Sequence, residues 1–147
     1  MKIGVDFDGV ICSTSLLSRA RTERIAYFLL KIPIFGWFIN FFRFPNRGVI
    51  AAIRYLIKNG HEIVIITANP PEQEWLIKRW LQRYGLKAVP IILKEVKTRT
   101  AQWKLNVVQE MKVDVLIDDN LRILNYVQRF GVKAFLPKQI KGLLNLF

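Results

Sequence analysis

Residues 61 to 67 read His-Glu-Ile-Val-Ile-Ile-Thr, a β-branched run too continuous for a strand with one solvated face. A strand that is apolar on both faces needs helices above and below it, and the flanking sequence supplies them. Ahead of the run, Asn46 suits the N-cap of a helix whose apolar positions Val49, Ile50, Ile53, Leu56 and Ile57 follow helical spacing, closed by Asn59-Gly60. After it, Pro70-Pro71 opens a second helix reaching about Tyr84, with Gly85 at its exit. The pattern repeats as a strand over Ala88 to Leu93, a helix from Thr98 or Thr100 to Met111, a strand over Val113 to Ile117, a helix over Leu121 to Phe130 and a short strand over Val132 to Phe135. Lys2 to Phe7 makes a first strand ending at a turn on Gly9. This alternation predicts a three-layer α/β/α, Rossmann-like parallel sheet in a single domain of 147 residues.

Residues 13 to 45 break the alternation. They are basic, interrupted by Pro33, Gly36 and Pro45, and hold eight of the eighteen aromatics between Tyr27 and Phe44. Residues 25 to 42 contain one charge, Lys31, which raises the question of a membrane span. A crossing there would separate Asp6 from Thr67 and Asp118, and Pro33 and Gly36 fit a bend between short helices better. The expectation is an apolar surface that packs on the core, pairs with another copy of the chain, or rests on a membrane interface flanked by Arg19, Arg21, Arg24, Arg43 and Arg47.

Charge is divided unevenly. There are 23 Lys and Arg against 11 Asp and Glu, a net of +12, and setting aside Asp6, Asp8, Asp118 and Asp119 leaves 23 minus 7, or +16, on the remainder. A hydrophobic fraction of 52% excludes a disordered chain. The single cysteine, Cys12, cannot form an internal disulfide, and Asp6-Phe7-Asp8 stands where a secretory signal would turn apolar, so a reducing, cytoplasmic setting is expected. The positive excess suits nucleic acid, an anionic membrane or a phosphorylated substrate.

In an open parallel sheet, ligands bind outside the carboxyl ends of the strands. Those ends deliver Asp6 and Asp8 from the first strand, Thr67 from the second, and Asp118 and Asp119 from the fourth. Crowded carboxylates stay ionised only with a cation among them, and an oxygen-rich set suits a hard ion such as Mg²⁺ held together with a phosphate. Phosphoryl transfer is the chemistry that needs such a set.

Asp6-Phe-Asp8-Gly-Val after a strand, Thr67 ending IVIIT, a lysine on or before the next helix, and Asp118-Asp119 after VLI resemble the four motifs of the haloacid dehalogenase (HAD) superfamily of phosphohydrolases. The resemblance covers residues 1 to 12 and about 46 to 136. It implies a HAD-like core of 1–12 and 46–147 with a small helical cap insertion, 13–45, over the site. It also implies roles. Asp6 would attack phosphorus and carry an aspartyl-phosphate, Asp8 would serve as general acid and then base, Thr67 would hold phosphoryl oxygens, and Lys104 would steady the shared charge. Lys94 and Lys97 remain alternatives to Lys104. Substrate contacts would come from Phe7, Asp8, Thr67, Ala68, Asn69 and Lys104. Mg²⁺ would be held by Asp6, the backbone carbonyl of Asp8, Asp118 and, directly or through water, Asp119. Asn69 departs from relatives that place a basic residue near that position.

In the family resembled, an aspartate two residues after the nucleophile marks phosphatases and phosphomutases. The resemblance favours hydrolysis of a phosphate monoester, a small phosphorylated metabolite or a nucleotide, with a phosphomutase as an alternative that usually carries a larger cap. Ser13, Thr14, Arg19, Arg21 and Arg24 are candidates for substrate selection from the cap. The competing class is a nucleic-acid-binding protein with an inactive or secondary HAD-like site, supported by the basic body. Simpler readings apply to other residues. Asp118-Asp119 alone could be a helix cap, Thr67 alone a strand residue, His61 a turn residue, Cys12 a small buried group without a redox role, and Trp75 and Trp80 core packing.

Overall fold

The structure, a computed structural model, describes residues 1–14, 43–95, 98–140 and 142. Along the chain run β1 (Lys2–Val5), β2 (Cys12–Thr14), β3 (Arg43–Pro45), α1 (Arg47–Lys58), β4 (Glu62–Thr67), α2 (Glu74–Arg83), β5 (Ile91–Leu93), α3 (Thr100–Glu110), β6 (Val115–Ile117), α4 (Leu121–Gln128) and β7 (Lys133–Phe135). Single 3-10 turns precede α2 at Pro71–Gln73 and follow β7 at Pro137–Gln139.

Five strands form one parallel sheet in the order β5-β4-β1-β6-β7. The chain moves outward from β1 through β4 to β5, then returns to the other side of β1 for β6 and β7. The direction of winding therefore reverses between β1 and β6, which opens a crevice at their carboxyl ends.

Period-two alternation along the buried strands divides the core between two faces. Ile63 and Ile65 of β4 join Ile3 and Val5 of β1 in packing under α1 and α2, through Ile53, Leu56, Ile77 and Trp80. Val64 and Ile66 join Leu116 in packing under α3 and α4, through Trp103, Val108, Leu124 and Val127. The run at 61–67 is thus buried on both sides for the reason its composition gave. Its five residues from Ile63 to Thr67 are all buried.

The local signals behave largely as their chemistry requires. Asn46 caps α1, its side chain accepting from the Val49 amide at 3.4 Å, and Gly60 turns the exit at φ 80°. Four of the five expected apolar positions of α1 are buried, whereas Ile57 is exposed. Pairing in β5 begins at Ile91 rather than Ala88, because Pro90 has no amide to give. Its carbonyl accepts from Ile65 at 2.9 Å and the ladder starts after it. The first turn after Pro70 is a 3-10 turn rather than α-helix. The strand expected from Val113 starts at Val115, and the helix expected to Phe130 ends at Gln128.

Trp75 overturns its expectation. It is 52% exposed, while Trp80 is 3% exposed. Five residues at 100° each set two side chains 140° apart around a helix, so one buried face cannot hold both.

Most of the expected cap insertion, together with its aromatic stretch and the oligomer or membrane surface read into it, lies outside the described residues. Its two ends do not. Cys12–Thr14 and Arg43–Pro45 pair antiparallel, with Ser13 opposite Phe44 and Thr14 opposite Arg43, so the segment leaves and rejoins the core at one place. Among the described residues, no helix is long and apolar enough to cross a membrane.

Candidate active site

Parallel register puts the acidic residues side by side. Val5 pairs with both Ile65 and Ile117, so one step further Asp6 and Asp118 emerge from adjacent strands at the switch point, and the Asp6 amide donates to the Ile117 carbonyl at 2.9 Å. Thr67 ends the strand on the other side of β1. The three central strands thus supply Thr67, Asp6 and Asp118 in spatial order.

Asp6, Asp118 and Asp119 each offer a carboxylate oxygen within 4.8 Å of the others. Asp6 and Asp118 are buried and Asp119 is exposed. Lys104 reaches them from α3, its ammonium 2.6 Å from Asp118 Oδ2 and 3.0 Å from Asp6 Oδ1, with the side chain 1% exposed. Of the candidate lysines among the described residues, Lys104 is the one at the carboxylates. Lys94 is buried but donates to Thr100 Oγ1 at 3.1 Å, and Lys97 lies outside the described residues.

The electrostatics follow from burial and crowding. Burial pushes the Asp6 carboxyl well above the ordinary aspartate range, Lys104 works against this, and Asp118 and Asp8 add to it. Burial likewise raises Asp119, with Asp118 second. For Lys104 burial acts to lower the pKa, but Asp6 and Asp118 outweigh it and hold the ammonium above an ordinary lysine. Three carboxylates against one ammonium leave two negative charges in a small space. An all-oxygen donor set with that residual charge fits a hard divalent cation.

Gly9 makes room for this cluster. It turns at φ 85°, and a methyl group there would run into the Asp119 carboxylate. A side chain at that position would be strained and would displace Asp119.

Asp8 stands apart. Its carboxylate turns away from the acidic cluster, accepting from Arg43 Nε at 3.0 Å through Oδ1, and from Arg43 Nη2 at 3.3 Å and Asn69 Nδ2 at 2.5 Å through Oδ2. The Asp8 side chain is thus committed outside the acidic cluster. Asn69 also donates to Thr67 Oγ1 at 2.7 Å, which links the second and first strand ends. Ala68 lies half-buried between them, and the Asn69 carbonyl accepts from the Lys94 amide at 3.0 Å.

One expectation is corrected here, that for Arg43. The Phe7 ring is fully buried and packs edge-on against Trp80 at 5.1 Å between centroids. Only its backbone faces the site loop, its amide donating to Asp6 Oδ1 at 2.9 Å. Arg43 is not a membrane-flanking residue. It is 3% exposed, and its guanidinium lies over the Phe7 ring at 5.0 Å as well as on Asp8. Sequence reasoning missed it as a site residue. Cys12 is buried with its thiol 3.5 Å from Phe7 O and Asp8 Oδ1, and burial, then Asp8, raises its pKa, so it stays a protonated thiol.

The class these features define is structural: a doubly wound parallel α/β sheet with carboxylates at its switch point and a buried lysine between them. Comparison with solved structures finds the same fold in other chains. A chain of the Pnkp1/Rnl/Hen1 RNA repair complex superposes with a TM-score of 0.70 at 14% identity, over 92% of this chain and 42% of that one. The present chain thus spans about two-fifths of that relative's length. D,D-heptose 1,7-bisphosphate phosphatase from B. bronchiseptica, crystallised with magnesium and phosphate, gives 0.56 at 15% identity, over 97% of this chain and 87% of that one. A candidate beta-phosphoglucomutase from Thermotoga maritima gives 0.62 at 14% identity, over 98% of both chains. No protein-family model and no curated protein matches the sequence.

Proposed function

We propose that the chain is a Mg²⁺-dependent phosphohydrolase that cleaves a phosphate monoester through an aspartyl-phosphate on Asp6. The observation that carries this reading is the contact of Lys104 with both Asp6 and Asp118 at the reversal of the sheet, with Asp8 and Thr67 joined through Asn69 beside them.

An oxygen of Asp6 attacks phosphorus in line, and the bond to the leaving oxygen breaks. Lys104 lies against that carboxylate and offsets charge that spreads onto the phosphoryl oxygens. Asp8 gives its proton to the leaving oxygen, then takes one from the water that attacks phosphorus and releases Asp6. Thr67 Oγ1, at the end of the neighbouring strand, is a hydrogen-bonding group for the phosphoryl oxygens. The divalent ion that Asp6, Asp118 and Asp119 would hold, with the Asp8 carbonyl, supplies charge neutralisation when bound. Residues 13–45 are read as a cap whose two ends meet in the β2–β3 ribbon.

Phosphate release from a panel of phosphate monoesters, with Mg²⁺ and with EDTA, tests the proposal. Turnover should require Mg²⁺ and vanish in Asp6→Asn. A folded wild type inert to the whole panel, or an Asp6→Asn variant as active as wild type, refutes it.

A second reading concerns the substrate. Helices α1, α3 and α4 start at the site edge of the sheet with no acidic residue in the first turn, and Arg47, Arg99 and Arg122 stand exposed at those starts. Cations there oppose the helix dipole by about 0.3–1 kcal/mol each, an arrangement better suited to a neighbouring polyanion. With the RNA repair neighbour, this favours a phosphate at a nucleic-acid end over a small metabolite. Oligonucleotides bearing a terminal phosphate belong in the panel, and their KM should rise steeply with salt. A salt-independent KM for them would point back to a small substrate. Binding without any hydrolysis would instead support the nucleic-acid-binding alternative.

A further inference from the structure

We infer that Arg43 is a positioning residue for Asp8, so that the strand closing the insertion belongs to the catalytic apparatus. The inference rests on the phosphohydrolase reading and names a part of the site that the four motifs do not contain.

Asp8 and Arg43 are 35 residues apart, on opposite sides of the insertion. Arg43 Nε and Nη2 each meet a different oxygen of the Asp8 carboxylate, at 3.0 and 3.3 Å, a two-point grip that fixes the plane of the group as well as its place. Nη2 also donates to Asn69 Oδ1 at 3.2 Å, and Asn69 Nδ2 donates to Asp8 at 2.5 Å, closing a ring of three side chains from three segments. Arg43 is itself held. Its backbone pairs with Thr14 in the ribbon, its carbonyl accepts from Trp80 Nε1 at 3.2 Å, and its guanidinium rests on Phe7.

A buried guanidinium carries a desolvation cost of several kcal/mol and is retained only when its partners are well placed. Here the partner is the carboxylate that must meet the leaving oxygen. The grip also directs Asp8 away from the Asp6, Asp118 and Asp119 cluster, which a freely rotating carboxylate two residues from Asp6 could enter. General acid catalysis depends on placing one proton within hydrogen-bond reach of one oxygen, and displacement of about 1 Å costs on the order of 10²-fold.

The decisive readout is the dependence of kcat/KM on the leaving group, because that parameter ends with departure of the leaving group. Phenyl phosphate needs a proton on the departing oxygen, whereas 2,4-dinitrophenyl phosphate does not. Arg43→Gln should lose roughly 10- to 100-fold in kcat/KM with phenyl phosphate and under about 3-fold with the dinitrophenyl ester. Arg43→Lys keeps the charge but lacks the fork, so it should show the same selective loss if Arg43→Gln fails to fold. Adding Arg43→Gln to Asp8→Asn should cost little beyond Asp8→Asn alone, as expected of groups acting through one another. Equal losses on both esters, full activity of Arg43→Lys on phenyl phosphate, or additive losses in the double variant would overturn the inference and leave Arg43 structural. A wild type inert on both esters and on the whole monoester panel, terminal oligonucleotide phosphates included, would instead bring down the underlying phosphohydrolase reading, and the inference with it.

Discussion

Lys104→Met separates the structural work of the lysine from its chemical work. The ammonium is 1% exposed and touches Asp118 at 2.6 Å and Asp6 at 3.0 Å, so its removal leaves two buried carboxylates facing each other without a cation. Breaking a buried pair from one side costs about 3–5 kcal/mol. At about 2–4 °C per kcal/mol for a domain near this size, the variant should melt roughly 6–20 °C below wild type in EDTA. The cluster's residual charge also changes, from two negative charges to three, which should tighten its hold on a divalent ion. An ion that binds only the folded form at about 100 times its Kd returns about 2.7 kcal/mol. Mg²⁺ should therefore raise the melting temperature of Lys104→Met more than that of wild type, while turnover stays low. Thermal melts in EDTA and in Mg²⁺, with calorimetric titration of Mg²⁺, check this. If the variant in EDTA melts with wild type, the lysine is not balancing buried charge. If Mg²⁺ stabilises the variant no more than wild type, the carboxylates are not the metal site.

Three further outcomes are expected. Asp6→Asn should abolish turnover without loss of stability in EDTA. Because burial raises the Asp6 carboxyl pKa, the folded state holds that proton more tightly than the unfolded state does. The stability this adds is present below about pH 4 and is lost as pH rises through the folded value, so denaturant midpoints should fall less with pH in Asp6→Asn than in wild type. Gly9→Ala should lose about 1–2 kcal/mol from its left-handed conformation and weaken Mg²⁺ binding by displacing Asp119, both measurable by titration and denaturation. Asn46→Ala should cost about 1 kcal/mol through the lost cap of α1 with turnover unchanged, since the cap bonds only the Val49 amide.

The residues legible in the sequence are those whose position follows from one-dimensional rules. Asp6, Thr67 and Asp118 were found because a parallel sheet aligns its carboxyl ends, so a residue just past each apolar run is automatically beside the others. The α1 cap and the doubly buried β4 were legible from capping chemistry and from continuity of β-branched residues. Arg43 was not, because its partner lies 35 positions back and no local spacing relates them. The available signal was its place at the return end of the insertion, three residues before the Asn46 cap, where the chain must come back to the first loop. Asn69 looked like a departure from a basic residue. In the structure, the basic group near that position comes from Arg43, which bonds Asn69 directly. Trp75 was misjudged for a simpler reason, since a spacing of five crosses the helix.

Two aspartates two residues apart on a single loop receive opposite surroundings. Asp6 is buried against an ammonium that it shares with Asp118, in a cluster still short of positive charge. Asp8 is a partly exposed carboxylate with a guanidinium of its own and an amide donor, outside that cluster. One environment crowds a buried carboxyl against two others, so that it is held charged only with cations beside it. The other fixes the orientation of a group that must hand over and recover a proton. Chemically identical side chains can divide nucleophile from acid–base work only if the fold keeps their partners separate. The separation here comes from two directions, Lys104 from α3 across the sheet and Arg43 from the end of the insertion. These two buried charges do the dividing.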